Sequence, residues 1–329
     1  MSAPAGPPQG GAANRMERAQ PANDRHPLPR EGGRGEGAPV ILLTGKNGQV
    51  GWELARTLLP LGRVAAFDHA GLDLADAAAV RRMLDELRPD VIVNAAAYTA
   101  VDKAESEPEQ ANAVNAAAPA LLAQEAARRG ALLIHYSTDY VYDGAKAAPY
   151  VETDPTNPLG AYGRSKLAGE VGVQVSGADH LIFRTSWVYA ARGANFLRTI
   201  LRLAAEREEL RIVADQIGAP TWARLIAEAT AHALRQVMQE RSSGTFDSGV
   251  HHLTAAGETS WHGFASAIVE GRQGLRVKAV TPITTVDYPT PAQRPANSRL
   301  DTGAFRARFG LALPDWRDCL QLCLEEIPQ

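Results

Sequence analysis

Cysteine is nearly absent: the 329 residues include two thiols, Cys319 and Cys323. That excludes a disulfide-stapled scaffold, and two thiols four apart in an apparent helix are too few for a zinc centre without other ligands. Both are expected to be small core residues of a chain suited to a reducing compartment, which fits a cytoplasmic protein. Long apolar runs are also missing, so no segment is expected to cross a bilayer and no membrane partner is expected. Charge of one sign is not in excess. With 34 Lys and Arg against 37 Asp and Glu the net charge is −3, which argues against a nucleic-acid binder working through phosphate neutralisation. Large apolar side chains are scarce in residues 1–38, a stretch rich in Gly, Pro, Ala and Arg. Such a segment cannot bury enough surface to offset its ordering entropy, so a disordered extension is expected there. It does not read as a secretory signal, because no apolar segment follows its basic residues before Val40, and Met16 is a candidate alternative start.

What is present is an ordinary globular composition, 45% hydrophobic and 22% charged, long enough for one large domain or two intimate ones. Short continuous apolar runs at Val40–Leu43, Val64–Phe67, Val91–Asn94, Leu132–Tyr136 and Leu181–Arg184 alternate with helical segments. Runs of this kind suit strands buried on both faces, and their alternation with helices implies a parallel sheet with right-handed crossovers. The fold class expected is therefore α/β: a Rossmann-like doubly wound parallel sheet over residues 39–190. Beyond 190 the rhythm changes to scattered strands, helices near 195–208 and 221–239, and a Pro-rich stretch at 282–295. Residues 191–329 are expected to form a smaller α/β substrate-binding region, some segments of which return to the first domain.

Gly45-Lys46-Asn47-Gly48-Gln49-Val50-Gly51 lies between the first strand and the first helix. Glycines at that spacing allow a tight turn, close backbone approach to a pyrophosphate and close helix–strand packing, while the helix N-terminus offers free N–H groups. The placement points to a dinucleotide. Asp68 ends the second strand about 20 residues on, where an acid commonly takes the adenosine ribose 2′-hydroxyl; it reads equally as a solvated strand-end acid. Arg63 would suit a 2′-phosphate, so NADH and NADPH both remain open. The small side chains of Asn94-Ala95-Ala96-Ala97 leave room at the crevice.

Tyr162 and Lys166 stand four apart, on one face of a helix. A cation near a phenol lowers its pKa, so Tyr162 is expected to protonate a carbonyl oxygen as hydride arrives, with Lys166 also reaching the nicotinamide ribose. The fourth strand ends Ser137-Thr138-Asp139-Tyr140, and a hydroxyl at that edge can polarise the reacting oxygen. His135, between apolar neighbours, reads as a hydrogen-bonded core residue rather than a catalyst.

These motifs resemble the extended short-chain dehydrogenase/reductase superfamily. Residues 45–54, 94–105, 136–142, 183–189, 215–221 and 294–300 are similar, more closely, to the dTDP-4-dehydrorhamnose reductase family, a likeness that spans about residues 40–327. The resemblance implies reduction of the 4-keto group of a dTDP-4-dehydro-6-deoxy-L-sugar, giving a dTDP-L-rhamnose used for surface polysaccharide. It implies that Gly48, Gln49 and Val50 touch the cofactor pyrophosphate, that Asp73 and Leu74 lie near adenine, and that Ala97, Tyr98, Thr99 and Tyr136 line the cofactor. Thr138, Asp139 and Trp187 would meet the sugar nucleotide, although Trp187 reads also as core packing. Arg294, in the Pro-rich loop, reads either as a diphosphate ligand or as a surface charge.

Two departures stand out. Position 98 is Tyr where members of the family often carry His. Some members hold Mg²⁺ between subunits through one carboxylate in the first helix, which Glu53 matches, and another just after Ala-Pro-Thr, where this chain has Arg224. A cation at that place disfavours a divalent metal, so no metal is expected; Arg224 would pair with Glu53 of a partner, or the chain would be a monomer. Another sugar-nucleotide enzyme of the same fold, a dehydratase or an epimerase, is the nearest rival, but such dehydratases place a Glu after the strand-end Thr-Asp, and here Tyr140 follows. A non-catalytic regulatory subunit of this fold is the second rival, and the intact Thr138, Tyr162 and Lys166 speak against it.

Overall fold

Hydrophobic runs flanked by glycine and small polar residues become the strands of a parallel sheet, as the computed structural model of residues 37–328 shows. The order along the chain is β1 (Val40–Thr44), α1 (Gln49–Thr57), β2 (Arg63–Phe67), α2 (Ala77–Leu87), β3 (Val91–Asn94), α3 (Val101–Ala104), α4 (Pro108–Asn112), α5 (Ala118–Arg129) and β4 (Leu132–Thr138). It continues with α6 (Ala161–Gln174), β5 (His180–Thr185), β6 (Val188–Tyr189), α7 (Phe196–Glu206), β7 (Glu209–Val213), β8 (Ile217–Gly218), β9 (Thr221–Trp222) and α8 (Ala223–Ser243). The last elements are β10 (Gly249–His252), β11 (Thr259–Ser260), α9 (Trp261–Glu270), β12 (Ala279–Ile283), α10 (Gly303–Phe309) and α11 (Trp316–Glu325). The disordered extension expected at residues 1–38 lies almost wholly outside the described residues.

The main sheet has the order β10-β5-β4-β3-β1-β2, with every pairing parallel. The connection reverses between β1 and β3, which opens a crevice outside their carboxyl ends. The two faces of the sheet carry separate cores. One packs Ile41, Leu43, Val93, Ile134 and Phe183 against α1, α8 and α10 through Leu54, Ile226, Leu234 and Phe305. The other packs Leu42, Ile92, Leu133 and Ile182 against α2, α5 and α6 through Leu84, Leu122 and Val173. This even–odd partition is the side-chain alternation of a strand covered on both sides.

After β5 the chain builds three short pairs, β6 with β9, β7 with β12 and β8 with β11, around an apolar cluster of Tyr189, Leu197, Phe264, Trp316, Cys319 and Cys323. Both cysteines are fully buried thiols. Two later segments join the first sheet: β10 pairs with β5, and α8 packs on α1. α4 and α5 are joined by a π-turn at Ala113–Ala117, which turns Asn115 inward, fully buried.

Candidate active site

Three glycines shape the turn after β1. Gly45 has φ +74°, and a Cβ there would lie 2.7 Å from the Ala96 nitrogen; one on Gly51 would lie 2.0 Å from the Gly45 carbonyl oxygen. Only glycine permits that backbone conformation and that approach. Gly48 caps α1 with extended backbone and no side-chain cap, so the first N–H groups of the helix are left to the crevice. Val50 packs its side chain against the core, which leaves its N–H as the group it offers. Gln49 donates from Nε2 to the Val188 carbonyl at 3.2 Å, while its buried Oε1 has no protein partner among the described residues.

Asp68 stands at the end of β2 beside this turn, where it accepts from Asn47 at 2.8 Å and from the Gly71 N–H at 3.0 Å. The Gly71 N–H, with help from Lys46 and Asn47 and against partial burial, holds its carboxyl below the usual range. Asp73 is exposed and caps a turn by accepting from the Ala75 N–H at 2.9 Å, whereas Leu74 is buried in the core beneath it. Ala97 is half-buried at the end of β3, Thr99 is exposed, and Tyr98 exchanges backbone hydrogen bonds of 2.9 Å with the Asn115 side chain. Asn115 also donates to Ser165 of α6 at 3.0 Å. The sequence reading missed this contact, although an asparagine within an alanine-rich helix is its one visible signal.

The candidate reacting centre lies at the end of β4 and the start of α6. Tyr162 occupies the first turn of α6, and its ring meets Tyr140 edge-on with centroids 5.6 Å apart. Gly163 allows this packing, since a Cβ there would lie 2.2 Å from the Tyr140 carbonyl oxygen. Thr138 donates to Asp139 at 2.9 Å, and Ser186 donates to the other carboxylate oxygen of Asp139 at 3.1 Å. Burial pushes the Asp139 carboxyl up to about 6, against hydrogen bonds from Ser298, Thr138 and Ser186. The serines are additions to the sequence reading, and Ser298 comes from a segment 159 positions away with no short-range signal.

The expectation that Lys166 acidifies Tyr162 needs correction. Burial pushes the phenol up to about 12, with Thr138 opposing and the Asp139 carboxylate adding to the rise. The ammonium is engaged elsewhere: Lys166 is 2% exposed and donates to the Tyr136 carbonyl at 2.6 Å, with His135 Nε2 at 3.4 Å. Burial draws Lys166 down to about 8, with Glu170 opposing.

Three further readings are corrected. The side chain of Tyr136 does not line the crevice; it shares the face of Ile134 and bonds Thr230 of α8 at 2.7 Å, so its contribution is the carbonyl that anchors Lys166. The guanidinium of Arg294 is not free for a diphosphate: it lies 2.8 and 3.1 Å from the two oxygens of Asp102 and also meets Thr290 and the Ala292 carbonyl. Arg224 pairs with Glu53 of its own chain, Nε to Oε2 at 3.3 Å, and with Glu326, rather than with a partner's glutamate.

Trp187 adopts φ +48° after β5, and a Cβ on Gly218 would lie 2.6 Å from its ring. Its indole stacks on Trp261 with centroids 3.6 Å apart and planes at 8°. Trp261, absent from the sequence reading, thus packs on Trp187, and both side chains are half-buried.

The residues at the carboxyl edge fit a dinucleotide. The glycine turn is a cradle that any Cβ would fill, and the buried hydroxyls of Ser137 and Thr185, like Gln49 Oε1, have no protein partner among the described residues. Buried polar atoms left unpaired by protein call for a ligand or solvent. Chemically the arrangement offers a proton donor, a hydroxyl beside it, a buried cation one helical turn away and an anion-binding turn.

A family model described as the RmlD substrate binding domain matches residues 39–328. The chain is 57% identical over 293 residues to a dTDP-4-dehydrorhamnose reductase of Burkholderia thailandensis, with 87% of this chain and 98% of that protein covered. It is 49% identical over 296 residues to one from Escherichia coli K12, with 87% and 97% covered. Among solved structures it is similar to a dTDP-4-dehydrorhamnose reductase of Clostridium acetobutylicum, with TM-score 0.80, 36% identity and 87% and 98% of the two chains covered. It is also similar to that of Bacillus anthracis in complex with NADP, with TM-score 0.79, 35% identity and 88% and 99% covered.

Proposed function

This chain belongs to the dTDP-4-dehydrorhamnose reductase family, and from that premise we propose how its own residues carry out the reaction. It is an NAD(P)H-dependent oxidoreductase that reduces the 4-keto group of dTDP-4-dehydro-L-rhamnose to give dTDP-L-rhamnose for polysaccharide synthesis. Its place of work is the cytoplasm, as a monomer or homodimer. No helix among the described residues is long and apolar enough to cross a membrane.

When bound, the reduced nicotinamide supplies the hydride; the protein supplies the proton and the field. Gly45, Gly48, Gln49, Val50 and Gly51 would hold the pyrophosphate at the N-terminus of α1, with Asp68 and Asp73 toward the adenosine half. Ala97, Tyr98 and Thr99 would border the nicotinamide side. Tyr162 donates its phenolic proton to the sugar oxygen. Thr138 would turn its one hydroxyl proton from Asp139 to the same oxygen as charge develops on it. Lys166, anchored by the Tyr136 carbonyl, would reach the cofactor ribose. Asp139 and Trp187 are proposed to contact the sugar nucleotide. Arg224 is read as the resident cation between Glu53 and Glu326, so no metal is required.

The observation that carries this reading is the convergence of Thr138, Tyr162 and a fully buried Lys166 beside an anion-binding turn at one sheet edge. Tyr140 speaks against dehydration chemistry, because burial holds its phenol above the ordinary value and it offers no carboxylate base there. The test is reduction of dTDP-4-dehydro-L-rhamnose by the purified chain with each nicotinamide, followed at the nicotinamide absorbance. Tyr162→Phe is expected to lower kcat by about 10²–10⁴-fold with NADPH binding retained. Turnover surviving that change would remove Tyr162 as proton donor.

A further inference from the structure

Thr44, Asn94 and His135 are directly opposite one another on β1, β3 and β4, one row across the parallel sheet. All three are buried, at 2%, 0% and 0% exposure. A polar row inside a sheet is costly unless it is fully hydrogen-bonded. Here it is: the Thr44 hydroxyl donates to Asn94 Oδ1 at 2.7 Å, and Asn94 Nδ2 lies 3.1 Å from His135 Nδ1. Alternation along β4 turns His135 to the face opposite Tyr136, toward α6, and its Nε2 lies 3.4 Å from Lys166 Nζ. The row therefore ends on the ammonium assigned to the reaction.

We propose that His135 is a positioning residue for the reduction, and that it couples the proton carried by Lys166 to the hydrogen-bonded row formed with Asn94 and Thr44. The inference rests on the role given to Lys166 above and adds a partner to it.

Donor and acceptor counts tie the proton on Lys166 to the row. An ammonium at position 166 donates to His135 only if Nε2 carries a lone pair, which puts the imidazole proton on Nδ1. Asn94 must then turn its oxygen to the ring and its NH₂ to Thr44, whose hydroxyl accepts. If Lys166 is a neutral amine it can accept from Nε2–H; Nδ1 then accepts from Asn94 Nδ2, and Asn94 Oδ1 accepts from the Thr44 hydroxyl. The second arrangement is the one whose amide orientation is seen. The two differ by one proton on Lys166, an imidazole tautomer and an amide flip, while the ring stays neutral in both. Burial first, then the charge of Lys166, holds His135 well below its ordinary value, which keeps the ring out of its cationic form. Lys166, drawn down to about 8 by burial, can populate both of its states in an accessible pH range.

The surrounding charged and titratable groups are few. From α6, Glu170 acts on Lys166 but is itself held by Arg184 of β5 at 2.6 Å, and Tyr162 lies one turn back. From the end of β4 comes Asp139, and α5 contributes Glu125, which is tied to Arg81, Arg128 and Arg129. On β1 and β3 the groups in the row are the neutral Thr44 and Asn94.

The test is nitrogen NMR of the His135 ring in the full chain as pH is raised from 6 to 10 (about two units either side of the value for Lys166). The expected result is an Nδ1–H tautomer at low pH giving way to Nε2–H as Lys166 loses its proton, with no such change in Lys166→Met. A single tautomer throughout, or a change that persists in Lys166→Met, overturns the proposal. In kinetics, His135→Phe keeps the ring volume without nitrogen. It is expected to move the limb of the kcat–pH profile governed by Lys166 by at least about half a unit, with KM for the sugar nucleotide unchanged and partial restoration by His135→Gln. An unmoved limb in a folded His135→Phe overturns it, and if that variant fails to fold the NMR result on the native chain decides. Full turnover by Lys166→Met would instead sink the role given to the lysine, independently of what the His135 ring does.

Discussion

Asp139 is the carboxylate whose environment should be visible in stability before any substrate is added. It is 2% exposed, and burial raises its pKa from 3.8 to about 6 even though hydroxyl groups donate to both of its oxygens. A rise of about two units corresponds to about 3 kcal/mol, at 1.36 kcal/mol per unit. Below pH 4 the carboxyl is neutral in both folded and unfolded chains, and the site costs nothing. Between about pH 4 and 6 the unfolded chain gives up its proton first, so stability falls as pH rises, and above pH 6 the full penalty is present. Asp139→Asn removes the titration and keeps the shape. Whatever the amide loses in hydrogen bonding to Thr138 and Ser186 is the same at every pH, so the change in the difference between the two proteins isolates the ionisation. Urea unfolding of both proteins at about pH 4 and pH 7.5 is expected to shift that difference by about 2–3 kcal/mol in favour of Asn at the higher pH. A shift below about 0.5 kcal/mol would refute the argument, because the carboxylate would then be as well solvated in the fold as in the open chain.

Two further outcomes follow from the same geometry. Gly51→Ala places a methyl 2.0 Å from the Gly45 carbonyl oxygen, with backbone on both sides, so α1 must move away from the turn. The variant is expected to lose about 1–3 kcal/mol of stability in urea unfolding and most of its NADPH affinity in a fluorescence titration; unchanged nucleotide affinity would mean that the turn is not the pyrophosphate site. Exhaustive dialysis against a chelator is expected to leave turnover unchanged, because Arg224 already bridges Glu53 and Glu326. Activity lost to the chelator and restored by Mg²⁺ would overturn the reading of Arg224 as the resident cation.

The parts of the site that were legible in the sequence are those specified by spacing within a few residues. The glycine turn needs its residues at fixed offsets because one backbone path creates both the positive φ at Gly45 and the contact at Gly51. Tyr162 and Lys166 are linked by the helical repeat, and Thr138 is fixed by where a strand stops. The parallel sheet was equally legible, since strands buried on both faces read as short apolar runs. What escaped involves partners far apart in the chain. Asp102 and Arg294 are separated by 192 residues, and Ser298 reaches Asp139 from the same late segment. Trp187 and Trp261 meet only because β8 and β11 pair beneath them.

Tyr136 is a different kind of miss. Its position was legible from strand alternation alone: it shares parity with Leu132 and Ile134, whose face packs on α8, and opposes Leu133 and His135. Family likeness suggested a phenol near the cofactor, whereas the phenol bonds Thr230 and the carbonyl oxygen accepts from Lys166. The same parity sends His135 toward Lys166, so the row Thr44–Asn94–His135 could be anticipated once register was known. Register is the quantity that single-strand patterns do not contain. In a parallel sheet it is fixed by crossover helices and by turn geometry outside the strands, which is why a polar row spanning three of them becomes visible only in the fold.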